Sequence, residues 1–341
     1  MTARAAFLSL RDTDTIKGIA ILLMLVHHLF GLPSLIAPHN AYVPVLPGVP
    51  LEYWLGRFGK ISVCLFLFLS GYGLATRRGL VDWRYAWGRI FAFARTYWFY
   101  LAVALAIGII AFPHRMPGGS ERFPSDLISV VRLALALGRP LVYEWWFVQT
   151  YVLLVAGAPL VLRLADNGWL LLAVSAAAFL AGSAMDVLHL NPPLVMLSNV
   201  LIWQQPFVVG LLVARHWVFE RTAAAASPGS LRLLAISALA LFAAMETWLR
   251  SAMTPYLILI TPLVAFSLGS SCLTRDRGDL LGWLGRMSMP VWLVHPFLCY
   301  YFAQDLVFAP RFSLAVLAWL LVLTLVIVWP FERLRRAILR L

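Results

Sequence analysis

The chain reads as an all-α membrane protein: a polytopic bundle of about ten transmembrane helices with both termini in the cytoplasm. Three observations lead there. Of its 341 residues 62% are hydrophobic and only 12% charged, with a mean hydropathy of +0.85, far outside the range of a soluble globular chain. The apolar residues gather into ten segments of roughly spanning length divided by short links. If the N-terminus is cytoplasmic, eighteen of the 27 Lys and Arg fall on the inner side, eight on the outer, and Arg95 within a segment, as the positive-inside rule requires.

The segments run over residues 16 to 35, 61 to 75, 91 to 112, 142 to 162, 168 to 185, 197 to 214, 231 to 250, 255 to 273, 287 to 305 and 312 to 331. Arg4, Arg11 and Lys17 before an apolar run imitate a signal peptide, but no small-residue cleavage site follows Phe30, so the first segment is read as a retained helix. The link 31 to 60 is outside in this topology, and Pro33, Pro38, Pro44, Pro47 and Pro50 keep it from continuing as helix. Its Tyr42, Tyr53, Trp54, His39, Asn40 and Glu52 suit a sugar, or else form a stiff loop with aromatics at the lipid interface. Residues 127 to 138 are apolar but interrupted by Arg132 and too short to span, so they read as an interfacial or re-entrant helix. No polar stretch is long enough for a second domain. Residues 1 to 341 are read as one integral-membrane domain with no fused soluble domain.

The net charge of +12 does not point to nucleic acid, because the Arg residues are scattered between apolar segments rather than gathered into a basic domain. A lipid bilayer surface and an anionic small ligand account for them better. Cys64, Cys272 and Cys299 each sit inside an apolar run and offer neither a disulfide framework nor metal-ligand spacing, so no metal is expected. Glu246 and Arg250, four apart, are read as a structural pair, and Gln204 and Gln205 as hydrogen-bonding groups between helices.

The polar groups of the first segment stand apart from these. Ionisable side chains inside an apolar helix are expensive and mark sites of function. Lys17 and His28 are eleven positions apart, three turns plus roughly 20° of a helix with about 100° per residue. They share a stripe with Ile21 and Met24 and are separated by a rise of roughly 16 Å, about half of a hydrocarbon core ~30 Å thick. Lys17 is expected at the surface and His28 near the midplane. His27 is turned about 100° away.

The run from Lys17-Gly18-Ile19-Ala20 to His28 resembles the first transmembrane helix of the membrane-bound acyltransferase family 3, in which a basic residue, ten positions and an essential His recur. His27 does not fit that spacing. Phe66-Leu-Phe-Leu-Ser-Gly-Tyr72 resembles the family's second helix, Tyr143-Glu144-Trp145-Trp146-Phe147-Val148 its segment with an acidic residue or His before Trp-Phe-Leu, and Leu284 to His295-Pro296 its late segment ending in His. The chain departs from the usual Arg-Ile-x-Pro form, reading Arg95-Thr96-Tyr97-Trp98, so Arg95 is not aligned with a family position.

The resemblance implies an acyl-CoA-dependent O-acyltransferase, most simply an acetyltransferase using acetyl-CoA. It would sit in a bacterial plasma (inner) membrane and modify a hydroxyl of a cell-surface or exported carbohydrate, free or lipid-linked. Arg77, Arg78, Arg84 and Arg89 follow the second helix, and Arg binds phosphate in bidentate fashion. With Lys17 they are the expected cofactor-binding residues, although topology alone also explains a basic cytoplasmic turn. His28, with a side chain whose ordinary pKa lies near 6.5, is the expected catalytic base or acyl carrier. Glu144 is the expected group that orients the acceptor or an imidazole, and the alternative is an interfacial carboxylate. His295 is a second imidazole at comparable depth, or a packing residue satisfied by a carbonyl. The competing class is a transporter or flippase of a glycan or anionic substrate, in which the same groups bind a passing anion or relay protons.

Overall fold

The computed structural model describes residues 6–77, 79–111, 127–137, 141–188, 192–225, 253–270 and 278–339, with positions 227, 229, 230, 233, 234, 236, 237 and 242. In chain order the helices are α1 (Leu10–Phe30), α2 (Leu51–Gly59), α3 (Ile61–Ala75), α4 (Trp83–Ala111), α5 (Leu127–Ala134), α6 (Trp146–Leu164) and α7 (Gly168–Val187). They continue as α8 (Pro192–Arg215), α9 (Val218–Ala225), α10 (Met253–Gly269), α11 (Gly278–Arg286), α12 (Ser288–Pro296), a π-helical turn (Phe297–Phe302), α13 (Gln304–Phe308) and α14 (Ser313–Leu339). Among the described residues there is no β-strand, and only one isolated bridge joins Val43 to Phe312. The protein is an all-α polytopic membrane bundle.

Seven stretches are long and apolar enough to cross a membrane: α1, α2 continued by α3, α4, α6, α7, α8 and α14. They coincide with seven of the ten expected segments. Of the other three, 255 to 273 is represented by α10, 17 residues long, and 231 to 250 lies mostly outside the described residues, Glu246 and Arg250 with it. Residues 287 to 305 are not one helix but α12, the π-turn and the start of α13. Pro296 removes an amide there, and the wider π-turn takes up the irregularity.

Two boundaries differ from expectation for local reasons. α1 begins at Leu10 rather than 16, because Ser9 and Asp12 cap each other: the Asp12 amide donates to Ser9 Oγ (3.2 Å) and Asp12 Oδ2 accepts from the Ser9 amide (2.9 Å). The link after α1 is irregular only as far as Pro50. Pro33 and Pro38 open 3-10 turns, and Pro50 stands just before α2, where its missing donor leaves no helical bond unmade.

The chain folds into two compact units. The first comprises Met1–Met24, Phe58–Trp87 and Leu153–Arg286. In it α3 and α8 approach at backbone distance through reciprocal glycines: Gly71 lies against the Phe207 carbonyl and Gly210 against that of Phe68, with no room for a side chain at either. This is how helices pack where lipid supplies no hydrophobic drive between them. Gln204 ties α8 to α7, donating to the Ser175 carbonyl and accepting from Ser175 Oγ, both at 2.8 Å, which is the interhelical role expected of it. The N-terminal half of α1 is clasped to α11, where Gly18 abuts the Leu281 backbone and Gly285 the Asp14 carbonyl.

The second unit comprises Leu25–Arg57, Gly88–Val152 and Met287–Leu341. In it the link beyond α1 is stitched to residues 304 to 313. Asn40 Nδ2 donates to Asp305 (2.8 Å), His39 pairs with the same carboxylate (2.9 Å), and Ala37 N donates to Gln304 Oε1 (2.8 Å). Glu52 accepts from Val45 N (2.6 Å) and Ser313 Oγ (2.7 Å). His39, Asn40 and Glu52, three of the residues that suited a sugar, thus hydrogen-bond within this unit. Tyr42 packs edge-on to Phe30, and burial, with the Glu52 carboxylate second, raises its pKa and keeps its phenol neutral.

Candidate active site

Two adjacent histidines near the end of α1 face different neighbours, as a turn of about 100° between them requires. His27 is buried and its Nδ1 donates to the Gly56 carbonyl of α2 at 2.8 Å. A Cβ on Gly31 would fall 2.6 Å from that carbonyl oxygen, so α1 ends in backbone contact with α2 and His27 pins it. His28 is half-exposed. Its Nδ1 lies 2.7 Å from His295 Nε2, the ring centroids 4.8 Å apart and the planes 24° from parallel. Rings that touch nitrogen to nitrogen at such a centroid distance meet edge to edge, the geometry of an in-plane hydrogen bond.

His28 lies two residues from the end of α1. Lys17 stands seven residues inside α1 rather than at its mouth.

The π-turn after His295 supplies the rest of the cluster. Tyr300 sets its ring edge against His28 at 5.8 Å and donates through its hydroxyl to the His28 carbonyl at 2.6 Å. Tyr301 donates to Glu144 Oε2 at 3.1 Å and accepts from the Tyr143 amide at 3.4 Å. Glu144 is buried in a 3-10 turn, Tyr143–Trp145, that leads into α6. The adjacent Trp145 is fully buried and donates Nε1 to the Leu293 carbonyl of α12 at 3.2 Å. Two segments far apart in sequence, the end of α1 and the turn before α6, thus meet around a third, residues 291 to 301. A cleft of about 290 Å³ is lined by Leu29, Phe30, Pro33, Asn40 and Tyr42 among others.

His295 is fully buried, and its Nδ1 lies 3.1 Å from the Val291 carbonyl one turn back. A backbone carbonyl therefore satisfies one nitrogen, and His28 meets the other. No hydrogen-bond partner among the described residues faces Nε2 of His28.

The basic residues are arranged otherwise. Lys17 pairs with Asp14 at 3.2 Å, and Arg286 approaches the same carboxylate at 3.8 Å. Asp14 was not singled out from the sequence, although its i,i+3 spacing to Lys17 is an ordinary pairing signal. Arg77 and Arg84 are exposed, Arg77 with its guanidinium 5.7 Å from the Tyr85 ring. Both belong to the first unit with Lys17, whereas Arg89 belongs to the second and points Nη2 at the Tyr151 hydroxyl, 3.4 Å away. Arg78 lies outside the described residues. Tyr300 and Tyr301 were missed as well. Their signal was the Pro296 that breaks the helix two turns before its expected end.

The chain is thus a polytopic helix bundle in which a half-buried imidazole, His28, is braced by a buried one, His295. Residues 10–333 match the family described as Acyltransferase domain, and the chain belongs to that family, acyltransferase family 3. It is a membrane acyltransferase. No curated protein and no solved structure matches the chain.

Proposed function

We propose that the protein is an O-acyltransferase of a bacterial inner membrane that moves an acyl group, most simply acetyl, from cytoplasmic acyl-CoA to a hydroxyl of a cell-surface or exported carbohydrate. The observation that carries this reading is the open Nε2 of His28, in a chain whose family is acyltransferase. Acyl transfer from a thioester to a hydroxyl needs a base for the hydroxyl proton, and an imidazole is suited to that task near neutral pH.

In this reading Nε2 takes the proton of the acceptor hydroxyl as its oxygen attacks the thioester carbonyl. Collapse of the tetrahedral intermediate breaks the carbon–sulfur bond, and the same nitrogen returns the proton to the departing CoA thiolate. Glu144, with one carboxylate oxygen held by Tyr301, orients the acceptor. The apolar cleft beside Phe30 and Tyr42 supports approach of the acceptor from the link that follows α1. Lys17, Arg77 and Arg84, all of the first unit, are the basic residues offered to the phosphates of the donor, and along the sequence Lys17 and His28 are a helical rise of roughly 16 Å apart. The solvent exposure of Arg77 and Arg84 supports a role for them toward a ligand that arrives from water.

The test has two arms. Purified protein should hydrolyse acetyl-CoA slowly and transfer its acetyl group when an acceptor glycan is supplied. Mass spectrometry of surface polysaccharide should show acetyl esters in cells carrying the protein and their loss in cells lacking it. Intact polysaccharide acetylation without the protein, with no acetyl-CoA turnover in vitro, would remove this reading.

A further inference from the structure

Val291 lies four residues before His295 on α12, and its carbonyl can only accept a hydrogen bond. The His295 Nδ1 that lies 3.1 Å from it must therefore be the protonated nitrogen of that ring. The Trp292 carbonyl also faces the ring, and Pro296 has no amide to offer it in the helical pattern. With both rings neutral, His295 Nε2 is then a bare acceptor. The 2.7 Å contact to His28 can be a hydrogen bond only if His28 Nδ1 carries a proton. The consequence reaches the far side of the His28 ring, because a neutral imidazole protonated at Nδ1 has its lone pair at Nε2.

We propose that His295 is the positioning residue of the acyl transfer: anchored by the Val291 carbonyl, it locks His28 in the tautomer whose Nε2 lone pair faces the substrate. The proposal rests on the reading of His28 as the base. His295 takes no proton itself. When Nε2 of His28 accepts the hydroxyl proton, the Nδ1–H to His295 bond becomes charge-assisted and shortens, so the charge developing on His28 is held without a carboxylate partner. The role is the one the aspartate plays in a serine hydrolase triad, filled here by a neutral ring. Tyr300 supports it from another side, since its hydroxyl on the His28 carbonyl and its ring edge against the imidazole keep the His28 ring from turning out of line.

Two variants separate this role from mere packing. His295→Leu fills the space but removes the acceptor. His295→Gln keeps an amide oxygen within reach of His28 Nδ1–H and an amide donor for the carbonyls of α12. In acetyl transfer from acetyl-CoA, His295→Leu should lower kcat by about 10²- to 10⁴-fold, the span of general acid–base catalysis, with the KM for acetyl-CoA little changed, and His295→Gln should recover most of the loss.

A second readout does not depend on turnover. Nitrogen-15 NMR of histidine-labelled protein, with the His28 signals assigned by difference from His28→Gln, should show His28 protonated at Nδ1 and bare at Nε2 in the wild type and in His295→Gln. In His295→Leu the Nε2–H tautomer should become populated. Finding His28 protonated at Nε2 in the wild type, or the same tautomer in wild type and His295→Leu, overturns the lock. Failure of the broader reading looks different: the tautomer pattern holds while a His28 variant still transfers acetyl groups.

Discussion

The histidine site and the arginine turn between α3 and α4 carry the two most suggestive clusters of polar side chains in the sequence, and they are built on opposite principles. His295 and Glu144 are buried and His28, Tyr300 and Tyr301 partly so, and each is aimed at a specific partner within about 3 Å. Arg77 and Arg84 lie exposed, where solvation leaves a cation stable without any fixed partner. Burial penalises an unsatisfied polar group by ~1–3 kcal/mol, so a buried cluster must declare its hydrogen bonds and with them its tautomers. A solvated one need not, and its purpose shows only when a ligand arrives. The contrast explains why the first region supports a mechanism atom by atom and the second supports only a binding role.

Breaking the histidine site should have the largest effect. His28→Ala should lower acetyl transfer by at least the ~10²–10⁴-fold ascribed to a general base while the protein stays folded in the membrane, checked by transfer rate and gel filtration together. Glu144→Ala should be milder, about 10- to 100-fold in transfer, matching the roughly 1.5–3 kcal/mol of a hydrogen bond to a charged group. Its signature should be a raised KM for the glycan rather than for acetyl-CoA. If both substrates are affected equally, Glu144 is a structural partner of Tyr301 and no more.

The arginine turn is sharpened by binding rather than by rate. Arg78→Ala or Arg89→Ala should weaken acetyl-CoA binding by about 1.5–3 kcal/mol for each lost charge-assisted phosphate contact, measured by calorimetry at fixed salt. Unchanged affinity in both would return the turn to topology alone. His27→Ala should have the smallest effect on transfer. It gives up the bond to the Gly56 carbonyl, so the loss belongs in thermal stability, at about 1–3 kcal/mol for a buried carbonyl left unpaired.

Much of this arrangement was legible along the chain, and the rest was hidden for identifiable reasons. Eleven positions from Lys17 to His28 define one helix stripe whatever the tertiary structure, and the hydropathy that marks seven of the spans is a property of each segment alone. Helix ends were less visible, because the Ser9–Asp12 cap that starts α1 lies in a polar stretch that hydropathy discounts. The π-turn after Pro296 was hidden inside a continuous apolar run. The contact that matters most joins residues 267 positions apart. Comparable depth brought His28 and His295 to notice, but nothing in their spacing could tell that the two rings meet. Glu52, Asn40 and His39 show what residue type alone hides: polar groups in an outer link invite a ligand on paper, and only the structure shows that they also bond to residues 304 to 313.

The most direct test sets the two neighbouring histidines against each other. Acetyl transfer from acetyl-CoA to glycan should be measured for wild type, His27→Ala and His28→Ala at matched membrane expression. His27→Ala is expected to keep substantial activity and lose stability, and His28→Ala to keep its fold and lose transfer. Activity in His28→Ala with none in a folded His27→Ala would contradict the account, since it would put the chemistry on the ring that faces Gly56 instead of the ring that His295 holds.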